Sequence, residues 1–193
     1  MSYHIYTTEG IILKRKGFGE ADLFLHILTK DLGLILASAK SARLSSSKLK
    51  GALQEYSTLT VTCIKAKNGW KVTNVRGEGN LFFELPLYTH YVLAQLSSFI
   101  LKNIVGELPQ KEIFEIVKTG FEFLGTLKEE DLSEFEVLFV IRLLHKLGYV
   151  VLDSETEKYL KDSTIWDNKL LEVRKDKIKL VGLINKALKE SQI

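Results

Sequence analysis

The sequence predicts an α+β chain, strand-rich over residues 1–80 and helical over residues 81–193. Three observations predict it. Apolar residues before Asn80 alternate with period two, as in Leu23, Leu25 and Ile27 set against Asp22, Phe24 and His26. Turn residues separate the runs, among them Lys30-Asp31-Leu32-Gly33 and Asn68-Gly69. After Asn80 the period becomes that of a helix, in Tyr91, Leu93, Leu96, Ile100, Leu101 and Ile104.

The first strand is read from Thr7 to Lys16, closed by the loop Gly17-Phe18-Gly19. The second carries Leu23, Leu25 and Ile27. Gly33, free to take positive φ, turns the chain into a third strand from Leu34 to Ala39. Ser57 to Ile64 is a β-branched fourth strand, and Trp70 to Val75 a fifth, with Gly77-Glu78-Gly79-Asn80 ending the unit. Five short strands suit a small closed barrel. The longer connection from Ser41 to Glu55 lies between strands three and four, where an OB-fold places its linking helix. Pattern does not separate an OB-like barrel from an SH3-like one; the connection length favours the OB-like barrel. In the second part, Pro109 and Gly106 break the first helix, and Ile113, Ile116, Val117, Phe121 and Leu124 form the next. Asp131 and Glu134 have capping-box spacing and open a third helix through Val137, Leu138, Ile141, Leu144 and Leu147, which Gly148 ends. Residues 149–170 read as irregular, with Trp166 isolated among charges, and Lys177 to Lys189 as a last helix.

Of the 193 residues, 46% are hydrophobic, enough for real cores. No window reaches the roughly 18 apolar residues of a membrane span, and the N-terminus lacks a signal-peptide pattern. Cys63 is the sole cysteine, which excludes an intrachain disulfide and a multi-cysteine zinc site. A cytoplasmic address is expected. Catalytic patterns are missing. The third glycine of a dinucleotide fingerprint would fall on Asp22, and no P-loop is present. His4, His26, His90 and His145 are scattered, so no metal, no cofactor and no enzyme activity are expected. Glu20 and Asp22 lack an adjacent histidine and read as structural. Cys63 reads as packing.

The charge is segregated. Residues 1–80 hold 12 Lys and Arg against 6 Asp and Glu, a net +6, whereas residues 81–193 hold 15 against 18, a net −3. A basic part in such a chain points to a polyanion partner. Its cations form two groups, Lys14-Arg15-Lys16 and the loop residues Lys40, Arg43, Lys48 and Lys50, with no acid between Asp31 and Glu55. Several cations together can displace counterions from a phosphate backbone, and Ser45, Ser46 and Ser47 add hydroxyl donors. These seven residues are the expected nucleic-acid contacts. Phe18, between two glycines at a loop tip, is a candidate for base stacking or a plug for the barrel. An RNA-binding barrel and a barrel that binds only protein are the rival readings.

Two stretches resemble the RecO family of bacterial DNA repair proteins. One runs Glu9-Gly10-Ile11-Ile12-Leu13-Lys14-Arg15-Lys16, then Gly19-Glu20-Ala21-Asp22, and on through Thr29, Gly33, Lys40-Ser41-Ala42-Arg43, Ser47-Lys48-Leu49 and Leu53-Gln54. The other is Phe139-Val140-Ile141-Arg142-Leu143-Leu144-His145-Lys146-Leu147-Gly148-Tyr149. Ser41 stands where the family usually has Gly, and Glu55-Tyr56 where Pro-Phe is usual. Many relatives carry a four-cysteine zinc module after the second stretch; here no cysteine follows Cys63, so the chain reads as a short form without it. The resemblance implies a recombination mediator that binds single- and double-stranded DNA and anneals complementary strands. The implied partners are RecR, the single-stranded-DNA-binding protein and, indirectly, RecA. Arg142 and Lys146, at i and i+4, would then be candidate cations for the acidic tail of the single-stranded-DNA-binding protein.

Overall fold

The period-two runs become five strands: β1 (Ile5–Phe18), β2 (Asp22–Thr29), β3 (Gly33–Ala39), β4 (Ser57–Ala66) and β5 (Gly69–Asn80). This is a computed structural model, and it describes residues 4–190. The strands close into a barrel in the order β1-β2-β3-β5-β4. All pairs are antiparallel except β3 with β5, where Ala37 faces Trp70 and Ser38 faces Lys71. The inner face packs Ile12, Leu23, Leu25, Ile27, Ile35, Leu59, Val61, Cys63 and Trp70, and Ala42 and Leu53 enter from the connection. The chain is α+β, with an OB-like barrel first and helices after.

One irregularity decides which way β1 faces. Ile12 pairs with Ile27, but Lys14, not Leu13, pairs with His26. The extra residue is a bulge, and it inverts the alternation. Before it, Ile12 points into the barrel; after it, Lys14, Lys16 and Phe18 share the outer side with His26, Phe24 and Asp22. Without it the even-numbered lysines would point inward beside Ile12.

The connection from 40 to 56 holds turns and no helix, contrary to the OB expectation. Its backbone is tied elsewhere: the Arg43 N–H donates to Ala21 O at 2.8 Å and the Tyr56 N–H to Ile12 O at 2.7 Å. Four serines and Gly51 add low helix propensity.

The chain divides into two compact units, Met1–Glu84 with Val105–Phe114, and Leu85–Ile104 with Glu115–Ile193. The short stretch 105–114 sits against the barrel. Lys65 pairs with Glu107 at 2.6 Å and Lys111 with Asp31 at 3.3 Å. Gly33, at φ +74, lies so close to Leu108 that a Cβ would clash with the Leu108 carbonyl oxygen.

The helices are α1 (Leu81–Glu84), α2 (His90–Asn103), α3 (Lys111–Leu124), α4 (Leu132–Lys146), α5 (Glu157–Leu160) and α6 (Leu170–Glu190). In the second unit α4 is buried over most of its surface, through Phe135, Leu138, Phe139, Ile141 and Leu144 among others, and the side of Ser133, Glu136 and Val140 reaches solvent. It ends in a Schellman motif. Gly148 takes φ +84 and donates to His145 O at 2.9 Å, while the Tyr149 N–H donates to Leu144 O at 2.8 Å.

Three helical readings need correction. The capping box at Asp131 and Glu134 does not form, because α6 takes both carboxylates. Arg174 Nη2 donates to Asp131 Oδ1 at 2.8 Å, and Lys177 Nζ lies 3.4 Å from Glu134 Oε1. Trp166 is not isolated among charges: it is buried against Phe135 and Phe139, at ring-centre distances of 5.3 and 5.8 Å. The last helix starts at Leu170, seven residues before the expected Lys177, because Leu170 and Val173 extend its buried stripe.

Candidate nucleic-acid interface

The interface is built on the β1–β2 hairpin, the outer face of β2 and β3, and the loop that follows β3. Lys14 and Lys16 are exposed on the outer face of β1 by virtue of the bulge, and Lys40, Lys48 and Lys50 are exposed on the loop. None of these five lysines makes an ion pair with an acid among the described residues. Ser45 and Ser46 are exposed, while the Ser47 hydroxyl accepts the Leu49 N–H at 3.3 Å.

The two arginines of the same groups are braces. Arg15 is half-buried; its guanidinium donates to Leu53 O at 3.3 Å and to Gln54 Oε1, and its backbone N–H donates to Glu55 Oε1 at 2.9 Å. Arg43 Nη1 donates to Gly19 O at 3.1 Å. It lies over Gly17, where a Cβ would meet it at 3.0 Å. Asp22 completes this bracing: its Oδ1 accepts the Ser41 N–H at 2.8 Å, and Ser41 has the left-handed φ of +53. The hairpin tip and the start of the basic loop are thereby one tied body.

Phe18 does not plug the barrel. It is 59% exposed and packs on Phe24, ring centres 5.0 Å apart and tilted by 60°. Cross-strand register then sets two rows on the outer face. One is Lys16–Phe24–Ser38–Lys71, across β1, β2, β3 and β5; the other is Lys14–His26–Leu36. Burial, and then the charge of Lys14, hold His26 below the ordinary imidazole range, so it favours the neutral form. Cys63 lies on the opposite, inner side of the wall, where burial pushes its thiol up to about 12. Among the described residues no group of three or more His, Cys, Asp or Glu is placed to hold a metal ion, and no helix is long and apolar enough to cross a membrane.

Residues 1–76 match the family profile described as Recombination protein O N terminal. The chain is 29% identical over 150 residues to a DNA repair protein RecO of Dehalococcoides mccartyi, covering 76% of this chain and 57% of that one. It is 25% identical over 170 residues to a DNA repair protein RecO of Heliobacterium modesticaldum, covering 84% and 60%. The chain belongs to the RecO family. It therefore spans less than two thirds of the length of these RecO relatives.

Within this RecO-family chain, Arg142 is not where a partner-binding cation belongs. It is fully buried. Its guanidinium donates to the carbonyls of Tyr159 at 2.8 Å, Ser163 at 3.2 Å and Ile165 at 2.8 Å, and it sits 4.4 Å from the Trp166 ring centre. Burial lowers its pKa to about 10. Lys146, one turn on, is half-buried. The residues that sequence reasoning missed are Phe24, Ser38 and Lys71. A large aromatic on the polar side of β2, between Asp22 and His26, was the available signal for Phe24. Lys71 joins only through the β3–β5 pairing, which no local pattern announces.

Proposed function

We propose that this chain is a DNA-binding recombination mediator that holds single and double strands by their phosphates and favours annealing of complementary strands. The observation that carries it is the set of five exposed, unpaired lysines at positions 14, 16, 40, 48 and 50, on the barrel of a chain whose relatives are named DNA repair proteins. Cations without acid partners are free to neutralise phosphates, and two strands held in one basic field repel each other less. The action is physical: no bond is broken and no nucleotide is hydrolysed. In the cytoplasm of a bacterium it would act with RecR and the single-stranded-DNA-binding protein, and through them on RecA loading.

Five neutralised phosphates on a single strand give a slope of log affinity against log salt of about −3.5. Lys40, Lys48 and Lys50 together replaced by Ala should flatten it by about 2 and weaken binding to all sequences alike. Annealing should fall in parallel and the melting curve should stay put, because exposed charges contribute little to stability. Arg43 is kept in this variant because it braces the hairpin. An unchanged slope and affinity would mean that the loop is an ordinary solvated surface.

A further inference from the structure

We propose that the outer face of β1, β2, β3 and β5 is a platform selective for single strands: one base stacks on the Phe18–Phe24 pair while Lys16 and Lys71 hold the flanking phosphates. The proposal rests on the DNA-binding reading above and divides that binding between two surfaces. Phe24 sits second in a four-residue cross-strand row, next to Lys16, with Ser38 and then Lys71 beyond it. Three strand spacings separate the two lysines along the row, about 14 Å, with the aromatic pair at one end of that span and the Ser38 hydroxyl within it. Phe18 leaves most of its ring in water at the hairpin tip, an exposure that packing alone does not call for. The next row repeats the chemistry with Lys14, the imidazole of His26 and the half-exposed Leu36.

Two acids lie at the tip end of this face, against the cations Lys14, Lys16 and Lys71 along it. The Asp22 carboxylate is occupied by the Ser41 N–H, and Glu20 lies exposed on the hairpin tip. Lys16 and Lys71 make no ion pair among the described residues. An apolar protein partner would use the phenylalanines but would leave both lysines, Lys14 and His26 without a purpose. A nucleic-acid strand uses all of them. This is also the side of an OB barrel, strands two and three with the adjoining loops, that takes oligonucleotides. In a duplex the bases are stacked on one another and closed to an aromatic side chain, whereas an unstacked base offers its π-face. The platform therefore distinguishes strand state, while the lysines of the loop 40–50 meet phosphates of either form.

The test is fluorescence anisotropy with the full chain at fixed salt, using a single-stranded oligonucleotide and a blunt duplex of equal length. The Phe18→Ala/Phe24→Ala variant should lose single-strand affinity by on the order of tenfold or more and keep its duplex affinity within about twofold. Phe18→Ala alone, which cannot unfold the barrel from so exposed a position, should lose several-fold on the single strand only. Phe24→Trp should retain binding. Lys71→Ala should flatten the single-strand salt slope by about 0.7 and leave the duplex slope alone. Lys40, Lys48 and Lys50 changed together to Ala should weaken both forms. Equal losses on both forms in the phenylalanine variants, or no loss, would overturn the platform while leaving the DNA-binding reading standing. A parent chain that binds neither form would sink both.

Discussion

At the scale of the residue, Arg142 is the clearest case of a charge whose work is internal. Three carbonyls from residues 159–165, a stretch with little regular structure, converge on one guanidinium. Its planar fork serves them in directions that a single ammonium does not reproduce. Arg142→Lys should therefore leave buried carbonyls unpaired and lower stability by on the order of 3 kcal/mol. Denaturant midpoints measure this, and a midpoint equal to the parent's would show that the fork is dispensable. Spacing alone put Arg142 and Lys146 on one helix face as surface cations. The carbonyls that bury Arg142 lie 17 to 23 residues downstream in a segment without periodicity, so no local pattern signalled them. Trp166 was misread for the same reason: its neighbours in sequence are charged, while its neighbours in space are Phe135 and Phe139.

At the scale of the element, the pairing of α4 with α6 turns on one carboxylate. Glu134 is buried, which by itself would raise its pKa; its backbone hydrogen bond, the Ser133 hydroxyl and Lys177 more than offset that and hold it below the usual carboxylate range. A lowered folded value means that the ionised group stabilises the fold. That contribution is complete above the unfolded carboxylate range and is lost as pH falls through the lowered folded value. Glu134→Gln should lower stability at neutral pH and flatten the acid limb of a plot of unfolding midpoint against pH from 7 to 3. Parallel curves for parent and variant would show that Lys177 and Arg174 gain nothing from the charge. Strands were more legible than helix ends. Alternation in β2 placed Leu23, Leu25 and Ile27 inside because the pleat repeats every two residues. The bulge at Leu13 has no such signature, since an extra residue reads as one more apolar position in an apolar run. The capping box failed because its spacing says nothing of basic residues arriving from 43 residues later in the chain.

At the scale of the molecule, the segregation of charge was legible because it needs only counting, and the barrel because each strand announces itself. The closure of β3 onto β5 was not, because that parallel pair joins residues 33 apart and puts Lys71 beside Ser38. The platform is thus a property of topology, with single residues that look unremarkable in order. The barrel wall has a further consequence, through Cys63. Its thiol is sealed inside and stays protonated at neutral pH, so a disulfide reagent has no access and meets no thiolate nucleophile. Modification must wait until the wall parts, which makes the one cysteine of the chain a clock for barrel opening. Its labelling rate in the native protein should be slower than that of an unfolded chain by orders of magnitude and should rise with denaturant. Saturating single-stranded DNA should slow it further, by the factor that ligand concentration over Kd prescribes for a ligand bound only to the closed barrel. Labelling as fast as a free thiol would mean that the wall breathes open, and an unaltered clock under saturating DNA would mean that the strand binds as readily to the parted wall.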